Sequence, residues 1–323
     1  MQIENFKNKI NKLSSKGIPF LFLIDFEMKK PQVFTLDEAK RHKVFYNIKG
    51  FSNYFQKSNN QTISKLEIFP VSKNRYKKAF EIVTKNINFG NSYLLNLTFP
   101  TGISTNNTLE DIFVAAKASY KLLYKDQLTV FSPECFIKIK DNLVYSYPMK
   151  GTIDASIPNA ENIILEDEKE LREHYTIVDL IRNDLSMISK NVTVTKFRYI
   201  EKIKTNNKEL LQVSSEIRGK LPEDWKNNLG DLLIKLLPAG SVSGAPKKKT
   251  VEIIRKAEKQ NRGYYTGIFG IFDGKDLDSA VNIRFIENKN NGLRYRSGGG
   301  ITSMSDPDSE YNEMLNKIYV PIS

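Results

Sequence analysis

Two pairs of glutamates, Glu170 with Glu173 and Glu310 with Glu313, are each spaced three residues apart in stretches patterned as helices. That spacing puts both carboxylates of a pair on one helix face. Alone, a Glu-x-x-Glu reads as a solvated face. Two such faces meeting around a cation would suit magnesium, which prefers one or two carboxylates with water and an anionic substrate group completing its shell. Lys150 stands between apolar Met149 and flexible Gly151 in Pro148-Met149-Lys150-Gly151-Thr152. A lysine near other cations or in a dry pocket can lose its proton and become an amine nucleophile. At the ordinary lysine value only about one such group in 2,500 is neutral at pH 7, so a nucleophilic Lys150 needs that value depressed. Without such a pocket it is a surface lysine. Ser132-Pro133-Glu134 places a carboxyl at a strand start, suited either to general-acid work or to a structural role.

Two glycine-rich segments are candidate anion holders. Gly298-Gly299-Gly300 precedes Ile301 and the last helix, and reads as a tight turn or as bare backbone turning N–H groups toward a carboxylate. Pro238 to Pro246 opens a helix with proline in its first turn, which leaves free N–H groups and a positive dipole end for an anion. It is not a Walker A loop, because Gly244 is followed by Ala245 and Pro246 rather than by Lys-Ser/Thr.

The elements that must position these residues follow from hydrophobic period and turn residues. Strands are expected over 18–26, 44–48, 93–97, 128–140, 143–147, 191–204, 208–219, 264–273, 278–287 and 293–297. Helices are expected over 72–86, from about 108 with a capping-box start, and over 167–186, 225–237, 246–259 and 307–319. Strands and helices do not alternate regularly, which points to an α+β fold rather than a doubly wound sheet.

Bulk properties narrow the chemistry. The 323 residues, 40% of them hydrophobic, suffice for a packed core, and no repeat or Pro/Gly/Ser-rich linker divides them, so a single domain is expected. One cysteine, Cys135, excludes a disulfide framework and reads as a buried apolar filler. Two histidines, His42 and His174, leave little for zinc or a histidine triad. The net charge of +12 is spread over scattered lysines, only Lys247 to Lys249 forming a run, so no nucleic-acid partner is expected. A general positive field still helps collect a small anionic substrate. No apolar run is long enough to span a membrane, which leads to the expectation of a cytoplasmic protein.

Read in order, the segments resemble the chorismate-utilising enzymes: anthranilate synthase component I, aminodeoxychorismate synthase component I, and the isochorismate and salicylate synthases. The resemblance rests on Gly90-Asn91-Ser92-Tyr93, S-P-E, P-M-K-G-T, Ile177 to Leu185, P-A-G-S-V-S-G-A-P-K, R-G-Y-Y-T-G-I-F-G, Val281 to Arg284, S-G-G-G-I-T and D-P-D-S-E-Y-N-E. These motifs span roughly the last three quarters of the chain. The resemblance implies two antiparallel sheets packed as a sandwich with helices outside, in one domain over 1–323. Within it, 1–70 is a less typical N-terminal part and 75–323 the catalytic core.

The residue before Gly-Thr separates family members, with alanine in anthranilate synthases and lysine in aminodeoxychorismate synthases; here it is Lys150. The implied reaction is amination of chorismate to 4-amino-4-deoxychorismate, with anthranilate synthesis as the alternative. In that reaction Lys150 attacks ring carbon 2 and Glu134 protonates the hydroxyl leaving carbon 4. The resemblance makes Glu173 and Glu313 ligands of Mg²⁺, with Glu170 and Glu310 adjacent. It places Thr152, Ser243, Gly244, Arg284 and the amides of Gly299 and Gly300 at the substrate. Gln212 stands where anthranilate synthases carry histidine, and Leu94 where isochorismate-type enzymes carry a lysine that activates water. An apolar side chain cannot act as that base. The implied partner is a separate glutamine amidotransferase subunit that supplies ammonia.

Overall fold

A computed structural model of the chain describes residues 1–54, 63–64, 66–204, 209–289 and 292–322. Two antiparallel nine-stranded sheets form a sandwich with helices outside, in one domain. The first sheet runs in the order Met149–Asp154, Glu209–Lys220, Leu143–Ser146, Cys135–Lys140, Leu277–Val281, Ile268–Phe272, Phe20–Ile24 and Gln32–Thr35, with Lys190–Lys204 also paired to Glu209–Lys220. The second runs Gly244–Ala245, Leu94–Ser104, Gly292–Ile301, Phe285–Lys289, Leu128–Ser132, Tyr120–Tyr124, Val44–Ile48 and Phe51–Ser52, with Glu67–Phe69 on Leu94–Ser104.

The continuous apolar run Phe20–Ile24 shows why a sandwich forms, since successive side chains of a strand point to opposite faces. Leu21 and Leu23 meet Phe269, Tyr46, Leu122 and Val130 between the sheets. Phe20, Phe22 and Ile24 meet Phe6, Ile10, Trp225 and Leu233 under the outer helices. Truncating a fully buried leucine such as Leu21 to alanine costs about 2–5 kcal/mol. The first 54 residues thus supply strands to both sheets and are not a separate layer.

Two expected strands are each broken in two. The stretch 128–140 leaves the second sheet at Ser132 and enters the first at Cys135. Pro133, at the break, has no N–H for a ladder. The stretch 278–287 leaves the first sheet at Val281 and enters the second at Phe285, turning at Arg284, whose φ is 51°. The two crossings lie side by side, with Val281 N donating to Glu134 O at 3.2 Å and Phe131 N donating to Arg284 O at 3.0 Å.

Most other expected elements form with shifts of a few residues at their ends, but the strand expected over 93–97 continues to Ser104 and the one expected over 264–273 is confined to Ile268–Phe272; the 208 start of one strand lies outside the described residues. The stretch 225–237 begins as a 3₁₀ turn, Trp225–Asn228, before the helix Leu229–Leu236. Helices Ile3–Ser15, Leu36–Arg41 and Ala160–Glu166 and the strands Gln32–Thr35, Tyr120–Tyr124 and Met149–Asp154 are additional to the expected elements. No helix among the described residues is long and apolar enough to cross a membrane.

Candidate active site

The helix Glu168–Ser186 starts at Asp167, whose carboxylate accepts from Glu170 N at 2.9 Å, and acidic residues in its first turn suit the helix dipole. That start aims Glu170 and Glu173 at the strand Met149–Asp154. The last helix, Pro307–Asn316, starts at Asp306, which accepts from Asp308 N and Ser309 N, with Pro307 in the first turn. It aims Glu310 and Glu313 at the glycines of the strand Gly292–Ile301. A Cβ on Gly299 would lie 3.0 Å from Glu310 Oε2 and 3.8 Å from Glu313 Oε1. One on Gly300 would lie 3.1 Å from Leu94 Cδ1 and 4.0 Å from Lys150 Nζ.

These elements enclose a cavity of about 460 Å³, within the usual range for a small-ligand pocket. Glu134, Lys150, Thr152, Glu170, Glu173, Gln212, Gly244, Arg284, Gly299, Gly300, Glu310 and Glu313 all line it. Ser243 is not among its lining residues. Its buried hydroxyl donates to Ala239 O at 2.8 Å. The serine facing the cavity is Ser241, donating to Glu134 Oε1 at 2.6 Å. Local sequence cannot separate the two, because a single turn of helix, Gly240–Ser243, decides which side each faces.

The three glycines do not form a turn; they lie inside a strand, opposite Thr98, Leu97 and Asn96. On the other edge, the pairing with Phe285–Lys289 covers Gly292–Arg296 and stops there among the described residues, so the glycines have an open edge. Lys317 Nζ donates to Gly298 O at 2.9 Å there. In antiparallel pairing a residue's N–H and C=O share a side and alternate along the strand. Gly298 and Gly300 therefore present their amides to the open edge, while Gly299 turns its amide to the Leu94–Ser104 strand. Of the two amides expected at the substrate, Gly300's faces the open edge with Gly298's, and Gly299's does not. Of the expected anion-holding segment Pro238 to Pro246, Ala239 to Val242 and Gly244 line the cavity, whereas the start of the helix Lys247–Glu258 does not, and Lys247 there pairs with Asp184 at 2.8 Å.

The depressed amine that a nucleophilic Lys150 needs is not met by the protein groups alone. Burial pulls the Lys150 ammonium down, but Glu173 Oε2 at 2.9 Å, with Glu170 and Glu313 farther off, outweighs it and holds the amine above the usual lysine range. Burial pushes the Glu134 carboxyl up, with Ser241, Lys150 and Lys317 opposing only in part, so Glu134 tends to keep its proton. Burial also raises Glu170, with Glu173 adding to it, and raises Glu310. For Glu313 burial is outweighed by Lys317, whose Nζ lies 2.7 Å from Oε1, and its carboxyl falls below the usual range. Lys317 and Lys169, both lining the cavity, had no motif to single them out. Cys135 is half-buried, packing against the core between the sheets and also reaching the cavity wall, and burial pushes its thiol up to about 12, which keeps it uncharged.

Arg284 reaches the cavity edge, but its Nη1 donates to Lys317 O at 2.6 Å and its guanidinium stacks on Tyr319 at 4.5 Å. Among the described residues no group of three or more His, Cys, Asp and Glu side chains forms a metal cage. The donors still suit a hard divalent cation taken by two carboxylates and completed by substrate oxygen and water. Two carboxylate pairs face one cavity, and Glu173 and Glu313 are each already neutralised by a cation, Lys150 and Lys317.

Comparison with known proteins agrees with this architecture. The family model described as chorismate binding enzyme matches residues 20–323. An uncharacterized PabA-like protein of Pasteurella multocida is 51% identical over 323 residues, covering 100% of both chains. Aminodeoxychorismate synthase component 1 of Bacillus subtilis is 29% identical over 77% of this chain and 55% of that protein. The crystal structure of anthranilate synthase component I from Streptococcus pneumoniae superposes with a TM-score of 0.68 at 28% identity, covering 79% of this chain and 59% of that one. A match over nearly the whole chain, on the fold that builds this cavity, shows that the protein belongs to the chorismate-binding enzyme family.

Proposed function

We propose that the chain is an aminodeoxychorismate synthase component I, converting chorismate and ammonia to 4-amino-4-deoxychorismate on the way to p-aminobenzoate and folate. The observation that carries this reading is Lys150: the cavity holds an amine beside the glycine strand, with the half-buried Glu134, whose carboxyl is pushed above its ordinary range, in the same wall. The uncharged amine adds to ring carbon 2, the two ring double bonds shift, and the carbon 4 hydroxyl leaves as water with the Glu134 proton. Ammonia then adds at carbon 4, the double bonds shift back, and the lysine nitrogen leaves carbon 2. Glu134 recovers its proton from the added nitrogen.

Glu173 and Glu313 would hold Mg²⁺, with Glu170 and Glu310 alongside; bound there, the ion would supply positive charge for the ring carboxylate. Gly300 N–H, with Gly298 N–H, donates to that carboxylate. Arg284 supplies a fork for the enolpyruvyl carboxylate once it gives up Lys317 O. Leu94 keeps an apolar surface beside Lys150 and offers no base to activate water. Cys135 is no glutaminase nucleophile in this state, so ammonia would come from a separate glutamine amidotransferase subunit.

Similarity to anthranilate synthase component I favours a second reading, formation of anthranilate. Incubation with chorismate, magnesium and ammonium, with and without an aminodeoxychorismate lyase, separates the two. p-Aminobenzoate appearing only with the lyase supports the first reading, and anthranilate formed without it supports the second.

A further inference from the structure

Arg262 and Glu258 take no part in the chemistry proposed above, yet each is only 1% exposed. Arg262 Nε donates to Glu258 Oε2 at 3.1 Å and Nη2 to Oε1 at 2.6 Å. A buried pair of this kind is weak ground for stability, since apolar replacements of similar volume are often as stable. What it holds in place is more telling. The remaining guanidinium donors go to Val242 O at 2.8 Å, Asn96 O at 2.6 Å and Thr266 Oγ1 at 3.3 Å. All three acceptor residues line the cavity, and they come from three separate segments. Glu258 Oε1 in turn accepts from Thr98 N at 2.9 Å and Thr98 Oγ1 at 3.1 Å, farther along the Asn96 strand. Glu27 fixes the base of the arrangement, accepting from Arg262 N and Gly263 N.

Val242 directly follows Ser241, the residue whose hydroxyl lies on Glu134. The turn that carries both is pressed hard on the Asn96 strand: a Cβ on Gly244 would lie 1.9 Å from Leu94 O. We propose that Arg262 is a positioning residue for proton delivery, clamping the Gly240–Ser243 turn to the Leu94–Ser104 strand so that Ser241 stays on Glu134. Arg262 touches no substrate in this role, and the proposal rests on Glu134 acting as the acid.

Arg262→Lys tests it. The variant keeps the charge facing Glu258 but cannot reach both Val242 O and Asn96 O with a fixed fork. Misplacement by about 1 Å can cost ~10²-fold, so kcat is expected to fall at least about tenfold while KM for chorismate stays within about threefold. In a Glu134→Gln background Arg262→Lys should add little further loss, because the group it positions is already gone. Unchanged kcat, or the same fold loss in both backgrounds, overturns the proposal. Should Arg262→Lys fail to melt cooperatively, the double replacement Arg262→Met/Glu258→Leu removes the clamp without stranding a charge and carries the same expectation. Loss of folding in both variants overturns the positioning role as well. Chorismate consumption is followed whatever the product, so a wild-type chain making another product would defeat the proposed reaction while leaving the clamp testable.

Discussion

Lys150 Nζ and Glu173 Oε2 lie 2.9 Å apart, so the amine proposed as nucleophile is held as an ammonium by a carboxylate proposed for the cation. The pairing makes cation binding and amine activation one event. When a divalent ion takes Glu173 and Glu313, two of the three carboxylates that raise Lys150, the strongest included, are neutralised, and burial, which lowers it, gains weight. Lys150 should therefore react with an amine-directed reagent at lower pH with Mg²⁺ present than absent. Mass spectrometry of the labelled peptide across pH reads this directly. An unchanged profile sinks the coupling, and Lys150→Ala should remove the label and the amination together.

Glu134→Gln keeps the shape and the Ser241 contact but has no proton to deliver. Loss of a general acid is worth about 10²–10⁴-fold, which a chorismate-consumption assay would show as a fall in kcat.

The same variant predicts a stability change of opposite sense. A carboxyl raised by burial binds its proton more tightly folded than unfolded, so stability is lost as pH rises from the ordinary carboxylate value through the raised one. Glu134→Gln escapes that loss. Its melting temperature should exceed that of the wild type at pH 7, and the gap should close below the ordinary carboxylate range. A wild-type chain that melts higher at pH 7 contradicts the upward shift of this carboxyl.

Mg²⁺ should raise the melting temperature, the added stability growing with the logarithm of its free concentration and reaching about 2.7 kcal/mol at a hundred times its Kd. Glu173→Gln and Glu313→Gln should each abolish most of that gain. A gain that survives in both variants would place the ion elsewhere.

The glycine strand offers a contrast within three residues. A Cβ on Gly298 would sit 2.3 Å from Leu97 O, a backbone atom, whereas one on Gly300 meets the movable end of Leu94 at 3.1 Å. Gly298→Ala should thus lower thermal stability, while Gly300→Ala should fold and raise KM for chorismate by crowding the ring beside Lys150. Equal melting temperatures for the two variants would contradict this account of the strand.

Much of the site was legible because it is local. The caps at Asp167 and Asp306 and the three-residue glutamate spacing are set within a helix turn, where neighbours in sequence are neighbours in space. The α+β layout follows likewise from hydrophobic period. Other features depend on residues far apart in the chain. The strand breaks at Pro133 and Arg284 depend on which sheet receives the next segment, and the apolar period looks the same in either sheet.

The charge of Lys150 depends on Glu173, Glu170 and Glu313 arriving from two helices, set against its own burial, which spacing does not reveal. Ser241 rather than Ser243 meets Glu134, and Gly298 rather than Gly299 faces the open edge, for the same reason. Residue type and order determined which groups this protein brings to its cavity, while side-chain direction and protonation were decided by tertiary packing, because they are set by neighbours tens to hundreds of residues away along the chain.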